Sequence, residues 1–146
     1  MPQMLLKISD AANLAFHAML VLAREPDGGQ LSVADMARTL RVSENHLAKV
    51  MQRLAKVGLV KSRRGPGGGF TLRKPAAQIR LLDIYVAIEG PLPRGRCLLD
   101  KPVCDGSCCL LGGLLTDLHD RIAEHLERTT LDLICPALPA LAGERR

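Results

Sequence analysis

The chain has 146 residues, 47% of them apolar, which is enough for one ordinary domain with a modest core and an appended element. With no Trp, one Tyr and two Phe, it is a poor candidate for binding single-stranded nucleic acid by stacking bases on aromatic rings. Lys and Arg outnumber Asp and Glu by 20 to 15, and the net charge of +5 suits a polyanionic partner without identifying one.

The first predicted element is a helix over residues 11–24 that is apolar nearly all round. Such a helix is buried in a core, in a dimer interface, or in both. Turn residues from Pro26 to Gly29 end it.

Two short helices joined by a tight turn follow. Ser32 is expected to cap a helix from Val33 to about Leu40, and Ser43 to cap a second helix that runs to about Val57. The second helix has an apolar stripe on one face and a polar, mostly basic set on the other: Asn45, His46, Lys49, Gln52, Arg53 and Lys56. This pattern predicts a helix-turn-helix, although a helical hairpin with a solvated charged face would look similar.

A glycine-rich hairpin comes directly after these helices. Residues 59–62 and 70–72 are short strand candidates on either side of Arg63, Arg64 and a tip that includes Gly67 and Gly68. The arginines provide cations for phosphates or a narrow minor groove, and the glycines let the backbone approach a surface closely. Because of its position we interpret the hairpin as a DNA-contacting wing rather than a flexible loop.

Beyond a short helix over Leu81 to Glu89, an irregular stretch contains Cys97, Cys104, Cys108 and Cys109. Helical periodicity returns over residues 111–129, with apolar residues on one side: Leu111, Leu115, Leu118, Ile122 and Leu126. An isolated amphipathic helix needs a partner, and the identical helix of a second chain is the simplest one. Packing against its own domain is the alternative.

The predicted fold is therefore mainly α with a small β-hairpin wing. A winged helix-turn-helix DNA-binding domain covers residues 5–90, a cysteine-rich loop 91–110, a long C-terminal dimerisation helix 111–135 and a flexible tail 136–146.

The chain shows no secretory signal and no apolar run long enough to span a bilayer, so we expect a cytoplasmic protein that does not enter membranes. Thiols stay reduced there, and the five cysteines favour metal or redox chemistry over structural disulfides. Nothing indicates an enzyme, since no nucleophile lies beside a base in a recognisable motif. An electron-transfer protein built on the cysteine loop is a less favoured alternative.

Several segments resemble the IscR/NsrR-type family of bacterial winged-helix regulators. The most specific is the wing run Arg64-Gly65-Pro66-Gly67-Gly68-Gly69-Phe70 after Gly58-Leu59-Val60; residues 6–9, 18–23, 42–47, 74–76, 79–83 and 130–133 also fit. The resemblance covers about residues 5–135. It implies DNA-facing roles for Asn45, His46, Lys49 and Arg64, with Ser43 close to the DNA backbone.

In such a protein the start of the recognition helix reads base edges and later cations bind phosphates. Asn45 is expected to pair with adenine, His46 with guanine or phosphate, Lys49 and Arg53 with phosphates, and Arg64 with the adjacent minor groove. Arg63, Gly67 and Gly68 complete the predicted DNA-binding set. A symmetric homodimer implies a palindromic operator in double-stranded DNA with half-sites ~10 bp apart.

In the family that the chain resembles, three cysteines of this loop hold an iron–sulfur cluster, of the 2Fe–2S or 4Fe–4S type. The resemblance implies Cys97, Cys104 and Cys109 as ligands, with Cys108 an extra neighbour, and thiolates suit such clusters. Zinc on the same cysteines and a metal-free thiol–disulfide switch remain alternatives. Cys135 is expected to be a buried or idle thiol.

The fourth ligand is left open by the resemblance. Gly112 stands where IscR-like members carry a histidine, and Asn13 where NsrR-like members use a carboxylate of the other subunit. One turn later, His17 matches a position where a redox-sensing relative (RsrR-like) uses a histidine, so His17 is the preferred ligand, with Cys108 and Asp10 as further candidates. The expected function is a dimeric transcription regulator, a repressor, whose operator affinity depends on a cluster that senses redox state, iron or nitric oxide.

Overall fold

A computed structural model describes residues 6–93, 97–99, 101–111 and 113–134. The described chain contains six α-helices and one β-hairpin: α1 (Asp10–Ala23), α2 (Val33–Leu40), α3 (Glu44–Lys56), β1 (Val60–Arg63), β2 (Gly69–Leu72), α4 (Leu81–Glu89), α5 (Leu114–Arg128) and α6 (Leu131–Ile134). Single 3-10 turns lie at Pro26–Gly28 and Ala76–Gln78. The predicted mainly α fold with one small hairpin is confirmed. Gly112, Cys135 and the predicted tail lie outside the described residues.

Serine side chains begin each of the first three helices. The hydroxyl oxygen of Ser32 accepts a hydrogen bond from the Asp35 amide at 3.0 Å, and that of Ser43 accepts from the His46 amide at 3.4 Å. Both caps were predicted, and each satisfies a backbone donor that the helix leaves free, which stabilises it by about 1 kcal/mol. Ser9 caps α1 in the same way.

Helix α1 is the centre of the core. It contacts α2, α3, α4, α6 and β2. Its alanines Ala12, Ala15 and Ala18 have no exposed surface, and small side chains at this spacing let neighbouring helices approach closely. The prediction of a helix buried on most sides is therefore confirmed, and the helix begins one residue before the predicted start.

Helices α2 and α3 form the predicted helix-turn-helix. The turn between them passes through Arg41, whose φ of 56° lies in the left-handed region. The apolar stripe of α3 packs inward, and four of its side chains are at most 2% exposed: Leu47, Val50, Met51 and Leu54. The recognition helix is thus held rigidly by its buried face.

The hairpin pairs β1 with β2 in antiparallel register, from Val60 opposite Leu72 to Arg63 opposite Gly69. An isolated bridge between Leu31 and Phe70 ties it to the segment before α2. The strands extend one residue further toward the tip than predicted, because Arg63 pairs in the ladder. Arg63 was expected in the loop, so the tip is shorter, over residues 64–68.

Helix α5 differs from its prediction in three respects. It begins at Leu114, and Leu111 lies in the turn before it, so Leu111 does not belong to the helical stripe. The helix is also not isolated, because it contacts α4 and buries Leu115 and Leu126 to 7% and 9% exposure. The single helix predicted over 111–135 is also interrupted, because Thr129 is extended and Leu131–Ile134 form the separate short helix α6. None of the helices in the described segments is long and apolar enough to cross a membrane.

The chain after α5 returns to the segment before α4. The Leu81 amide donates to the Thr129 carbonyl at 2.9 Å, and the Leu131 amide donates to the Ile79 carbonyl at 3.0 Å. Arg80 and Thr130 form an isolated antiparallel bridge between these bonds. Both ends of the stretch that contains the cysteines are therefore attached to the winged-helix domain.

Candidate nucleic-acid interface and cysteine loop

The polar face of α3 is exposed and accessible to another molecule. Ser43, Asn45, His46, Lys49 and Arg53 are all exposed. Asn45 and His46 lie in the first turn, where residues of a recognition helix reach base edges, and Lys49 lies one turn later. The arrangement matches a helix that inserts its amino end into a major groove.

Arg53 is the one member of this face with a described bond to another helix. Its Nη2 donates to the carbonyl oxygen of Ile88, near the end of α4, at 2.5 Å. The phosphate contact expected for Arg53 stays a prediction, and the spacing of residues along α3 gave no sign of this second contact with α4. Part of the guanidinium is thus engaged inside the protein.

The wing tip has a tight and defined geometry. Gly67 has a φ of 71°, and a Cβ on Gly68 would lie 2.7 Å from the Gly65 carbonyl oxygen and still closer to that of Arg63. The side-chain amide of Gln30 donates to the Gly67 carbonyl oxygen. Arg63 and Arg64 are exposed beside this tip. Sequence reasoning missed Gln30, because its partner is 37 residues away.

Four free cysteines lie in the described part of the loop. Cys97 and Cys109 are half-buried, and Cys104 and Cys108 are exposed. The Leu99 amide donates to Cys97 Sγ at 3.4 Å, a contact of the kind that tunes iron–sulfur clusters. Soft thiolate donors fit such a group chemically. Among the described residues, however, no three His, Cys, Asp or Glu side chains gather closely enough to hold a metal ion, so the predicted ligands are not assembled in one chain.

His17 is exposed on α1, and its ring has a defined orientation. Its Nδ1 lies 2.8 Å from the carbonyl oxygen of Asn13. Because a carbonyl only accepts, Nδ1 carries the proton, and Nε2 of the neutral ring keeps the lone pair that a metal would use. The other α1 candidates, Asp10 and Asn13, are also exposed.

An open apolar cavity of about 490 Å³ lies beside His17. Phe16 and Leu20 of α1 line one side, and Ile122 and Leu126 of α5 line the other. We call this cavity the α1–α5 groove. Its polar lining consists of His17, Arg121 and His125.

Apolar surface continues beyond the groove. Leu114 and Leu118 on α5 are 50% and 39% exposed, although they fall at helical spacing from the groove residue Ile122. Val103 and Leu110, next to Cys104 and Cys109, are 85% and 92% exposed. The predicted stripe of α5 is therefore split: part of it packs on its own domain and part of it remains uncovered.

A buried carboxylate connects α4 to α1. The side chain of Glu89, the last residue of α4, is 7% exposed, and its Oε1 accepts from the Ser9 amide at 2.8 Å. Burial acts to raise the pKa of Glu89, but the hydrogen bonds from Ser9 and the charges of Lys7 and Arg53 outweigh it, so the pKa is lowered overall. The pairing joins residues 80 positions apart, and no local pattern marks it.

With this geometry in place, comparison with known proteins decides the family. Residues 8–137 match the family model of Rrf2, described as an iron-dependent transcriptional regulator. The chain belongs to the Rrf2 family. One curated relative, the IscR regulator of Cronobacter sakazakii, is 33% identical over 126 residues, which cover 86% of this chain and 78% of the relative.

Solved Rrf2-type structures agree with the fold. CymR, the global cysteine regulator of B. subtilis, superposes with a TM-score of 0.78 at 30% identity, covering 92% of this chain and 99% of that one. IscR of T. potens superposes with a TM-score of 0.69 at 28% identity, covering 96% and 94%. The Rrf2 chain is thus a winged-helix, DNA-binding transcription regulator and not an enzyme.

Proposed function

We propose that this Rrf2 protein is a homodimeric repressor whose affinity for a palindromic operator is set by the chemistry of its cysteine loop (residues 91–110). The proposal rests on one observation: an exposed polar face on α3 and four free thiols occur in a single chain, and the thiol-bearing stretch is attached at both ends to the winged-helix domain. A regulator that binds duplex DNA in a bacterium acts in the cytoplasm.

In the proposed complex, Asn45 and His46 contact base edges and Lys49 contacts a phosphate of the same half-site. Arg64 enters the neighbouring minor groove, where a narrow groove concentrates negative potential. Ser43, Arg63, Gly67 and Gly68 lie against the sugar–phosphate backbone. The exposure of all these residues except the half-buried Gly68 supports this assignment.

A second copy of the chain is the proposed cover for the α1–α5 groove. Exposed Leu114 and Leu118 extend the apolar lining along α5, and a helix in a symmetric dimer meets its own copy, so the same stripe serves both partners. Contiguous apolar surface of this kind marks an interaction site. The winged-helix domain, the cysteine loop and the dimerisation helix then act as three successive units.

We further propose an iron–sulfur cluster held by Cys97, Cys104 and Cys109. When bound, the cluster would supply a centre sensitive to redox state, iron supply and nitric oxide. His17 would supply the fourth ligand through Nε2, and its place in the groove that the second copy covers would bring it to the other subunit's loop. The matched family's description and the IscR relatives support this choice.

A metal-free thiol switch is the second candidate. The described thiols are not gathered in the single chain, and two of them, Cys104 and Cys108, are exposed to oxidants. The fold also resembles CymR of Staphylococcus aureus, whose oxidized form superposes with a TM-score of 0.73 at 25% identity. In this case oxidation of the loop thiols, rather than loss of a cluster, would change operator affinity.

Anaerobic purification followed by iron and sulfide analysis separates the two candidates. A coloured protein with iron and sulfide, whose colour is lost in Cys104→Ser and kept in the matched Cys108→Ser, supports the cluster. A colourless protein whose operator affinity changes with a thiol oxidant supports the switch. A protein whose affinity responds to neither iron loading nor oxidant contradicts both forms of the sensing proposal.

The role of His17 has its own test. His17→Ala is expected to shift the visible spectrum and to speed cluster loss in air, because the proposed ligand nitrogen is removed. Asn13→Ala, one turn away and equally exposed, is the control and keeps the spectrum. An unchanged spectrum in His17→Ala would leave the fourth position to another ligand.

A further inference from the structure

The recognition helix is attached to the end of α4 by Arg53. The guanidinium of this residue donates to the Ile88 carbonyl oxygen at 2.5 Å, and its charge acts on the neighbouring Glu89. Arg53 lies near the carboxyl end of α3, away from the first turn, which is expected to read bases. Its bond to α4 therefore holds the carboxyl end of the recognition helix in place.

The end of α4, where Arg53 is bound, is also where the cysteine loop begins. Glu89 is the last residue of α4, and Gly90 follows it with a φ of 84°, a conformation that other residues rarely adopt. The Glu89 carboxylate accepts from the amide of Ser9, which caps α1, the helix that carries His17. Helices α1, α3 and α4 thus meet where the loop leaves the domain.

We propose that Arg53 is a positioning residue that ties the recognition helix to the root of the cysteine loop through the Ile88 carbonyl, one residue before Glu89. This role replaces the phosphate contact expected from the sequence. It rests on the proposed function, since it supplies the connection between loop chemistry and operator affinity. A displacement of the end of α4 reaches α3 through the bond between Arg53 and the Ile88 carbonyl, and reaches α1 through the bond between Ser9 and Glu89.

The salt dependence of DNA binding distinguishes a tie from a phosphate contact. A cation that neutralises a phosphate releases counterions, so removing it from both subunits lowers the slope of log K against log salt by about 1.8. The matched control Lys49→Met is expected to show this reduction. Arg53→Met is expected to lose roughly tenfold in affinity with the slope unchanged, because a hydrogen bond to a charged group is lost without a DNA contact.

Glu89→Gln tests the proposed contact from its α4 end. Glu89→Gln keeps every cation of α3, so a phosphate role for Arg53 predicts no loss of affinity. Glu89→Gln weakens the attachment of the end of α4 to Ser9, so the tie predicts weaker operator binding and a smaller ratio between the affinities of the two sensor states, in this variant as in Arg53→Met. A reduced salt slope in Arg53→Met together with normal binding by Glu89→Gln would overturn the proposal.

A measurement without DNA keeps this inference separate from the proposed function. The Gly90 amide donates to the Val86 carbonyl at 3.1 Å and reports on the end of α4. Its hydrogen exchange is expected to be several-fold faster in Arg53→Met and unchanged in Lys49→Met. If exchange rises as expected while the wild type ignores every sensor treatment, the tie stands and the sensing proposal fails. Unchanged exchange in Arg53→Met contradicts the tie itself.

Discussion

Glu89 shows how a single residue links distant parts of the sequence. Its carboxylate is buried between α4 and the start of α1, and it accepts a backbone hydrogen bond from the residue that caps α1. A buried carboxylate stays ionised only when hydrogen-bond donors and positive charges surround it. Ser9 provides the hydrogen bonds here, and Lys7 and Arg53 provide the charges. Stability should therefore depend on the ionisation of this group.

The pH dependence of unfolding tests this conclusion. Because the folded-state pKa of Glu89 is lowered, the ion stabilises the fold above the ordinary glutamate pKa of about 4.3, and this stabilisation is lost as pH falls through the folded value. Glu89→Gln is expected to lower the free energy of unfolding by about 1–2 kcal/mol at pH 7, with the difference from wild type shrinking in acid. Urea titrations across pH provide the measurement.

The exposed Glu124 pairs with Arg128 at 3.0 Å and offers a control for this experiment. Glu124→Gln should change the free energy of unfolding by less than about 0.5 kcal/mol, as surface pairs usually do. A Glu89→Gln variant as stable as this control at neutral pH would contradict the stabilising role of the buried ion.

We expect Arg64 to contribute most to DNA binding by the wing. It is exposed beside the glycine tip. Arg64→Ala is expected to weaken operator binding at least tenfold, since a minor-groove cation is lost. Arg128→Ala removes the same charge from α5 and should bind nearly as well as wild type. Fluorescence anisotropy with an operator duplex measures both, and wild-type affinity in Arg64→Ala would refute the wing contact.

At the scale of the element, the wing is defined by backbone constraints more than by side chains. Its tip folds back on itself, is fixed to Gln30 and joins the domain through the Leu31–Phe70 bridge. A wing held by these contacts keeps Arg64 in a fixed position. Less conformational entropy is then lost when the wing binds DNA.

Gly68 offers a test of this rigidity. A Cβ at this position would collide with the carbonyl oxygens of Arg63 and Gly65, so Gly68→Ala must distort the tip. We expect a loss of about 1–2 kcal/mol in operator binding, with a smaller loss of stability because the tip is exposed. Gly113→Ala is the matched control, since the nearest atom to its added Cβ would be 3.9 Å away. Equal DNA affinities of the two variants would argue against a preorganised wing.

The elements that sequence predicted well are those set by local signals. Serine caps, the apolar stripe of α3 and the span of α4 depend on neighbours within one or two turns. They could therefore be predicted from short stretches of the sequence. The ties of Glu89 to Ser9 and of Gln30 to Gly67 join residues far apart, and only the packed fold creates them. The same reason explains α5: periodicity identified its apolar side but not how much of that side its own domain would cover.

The uncovered part of the α5 stripe is the feature on which the proposed homodimer rests. The groove between α1 and α5 is apolar apart from two histidines and Arg121, and exposed leucines extend it. A monomer would leave this surface in water, which is unfavourable in proportion to its area.

Leu118→Glu is the direct test of the dimer. The residue is already 39% exposed in the single chain, so the substitution should leave the fold intact while placing a charge in the interface. Sedimentation is expected to show a folded monomer with at least tenfold weaker operator binding, because a palindrome is read by two linked copies. Leu133→Glu, at a 63% exposed leucine of α6 that lies outside the α5 stripe, should remain dimeric. A dimer of normal strength in Leu118→Glu would place the interface elsewhere.

The pairing of residues 79–81 with residues 129–131 has a consequence for how such proteins diversify. Between these anchors the chain runs out through α4 and back through α5, which pack on each other, and the thiol-bearing stretch connects the end of α4 to the start of α5. Lengthening a loop between two held ends costs little conformational entropy, since the cost grows only with the logarithm of its length. We therefore expect changes in cysteine spacing within this loop to be tolerated without disturbing the helices that carry the recognition face.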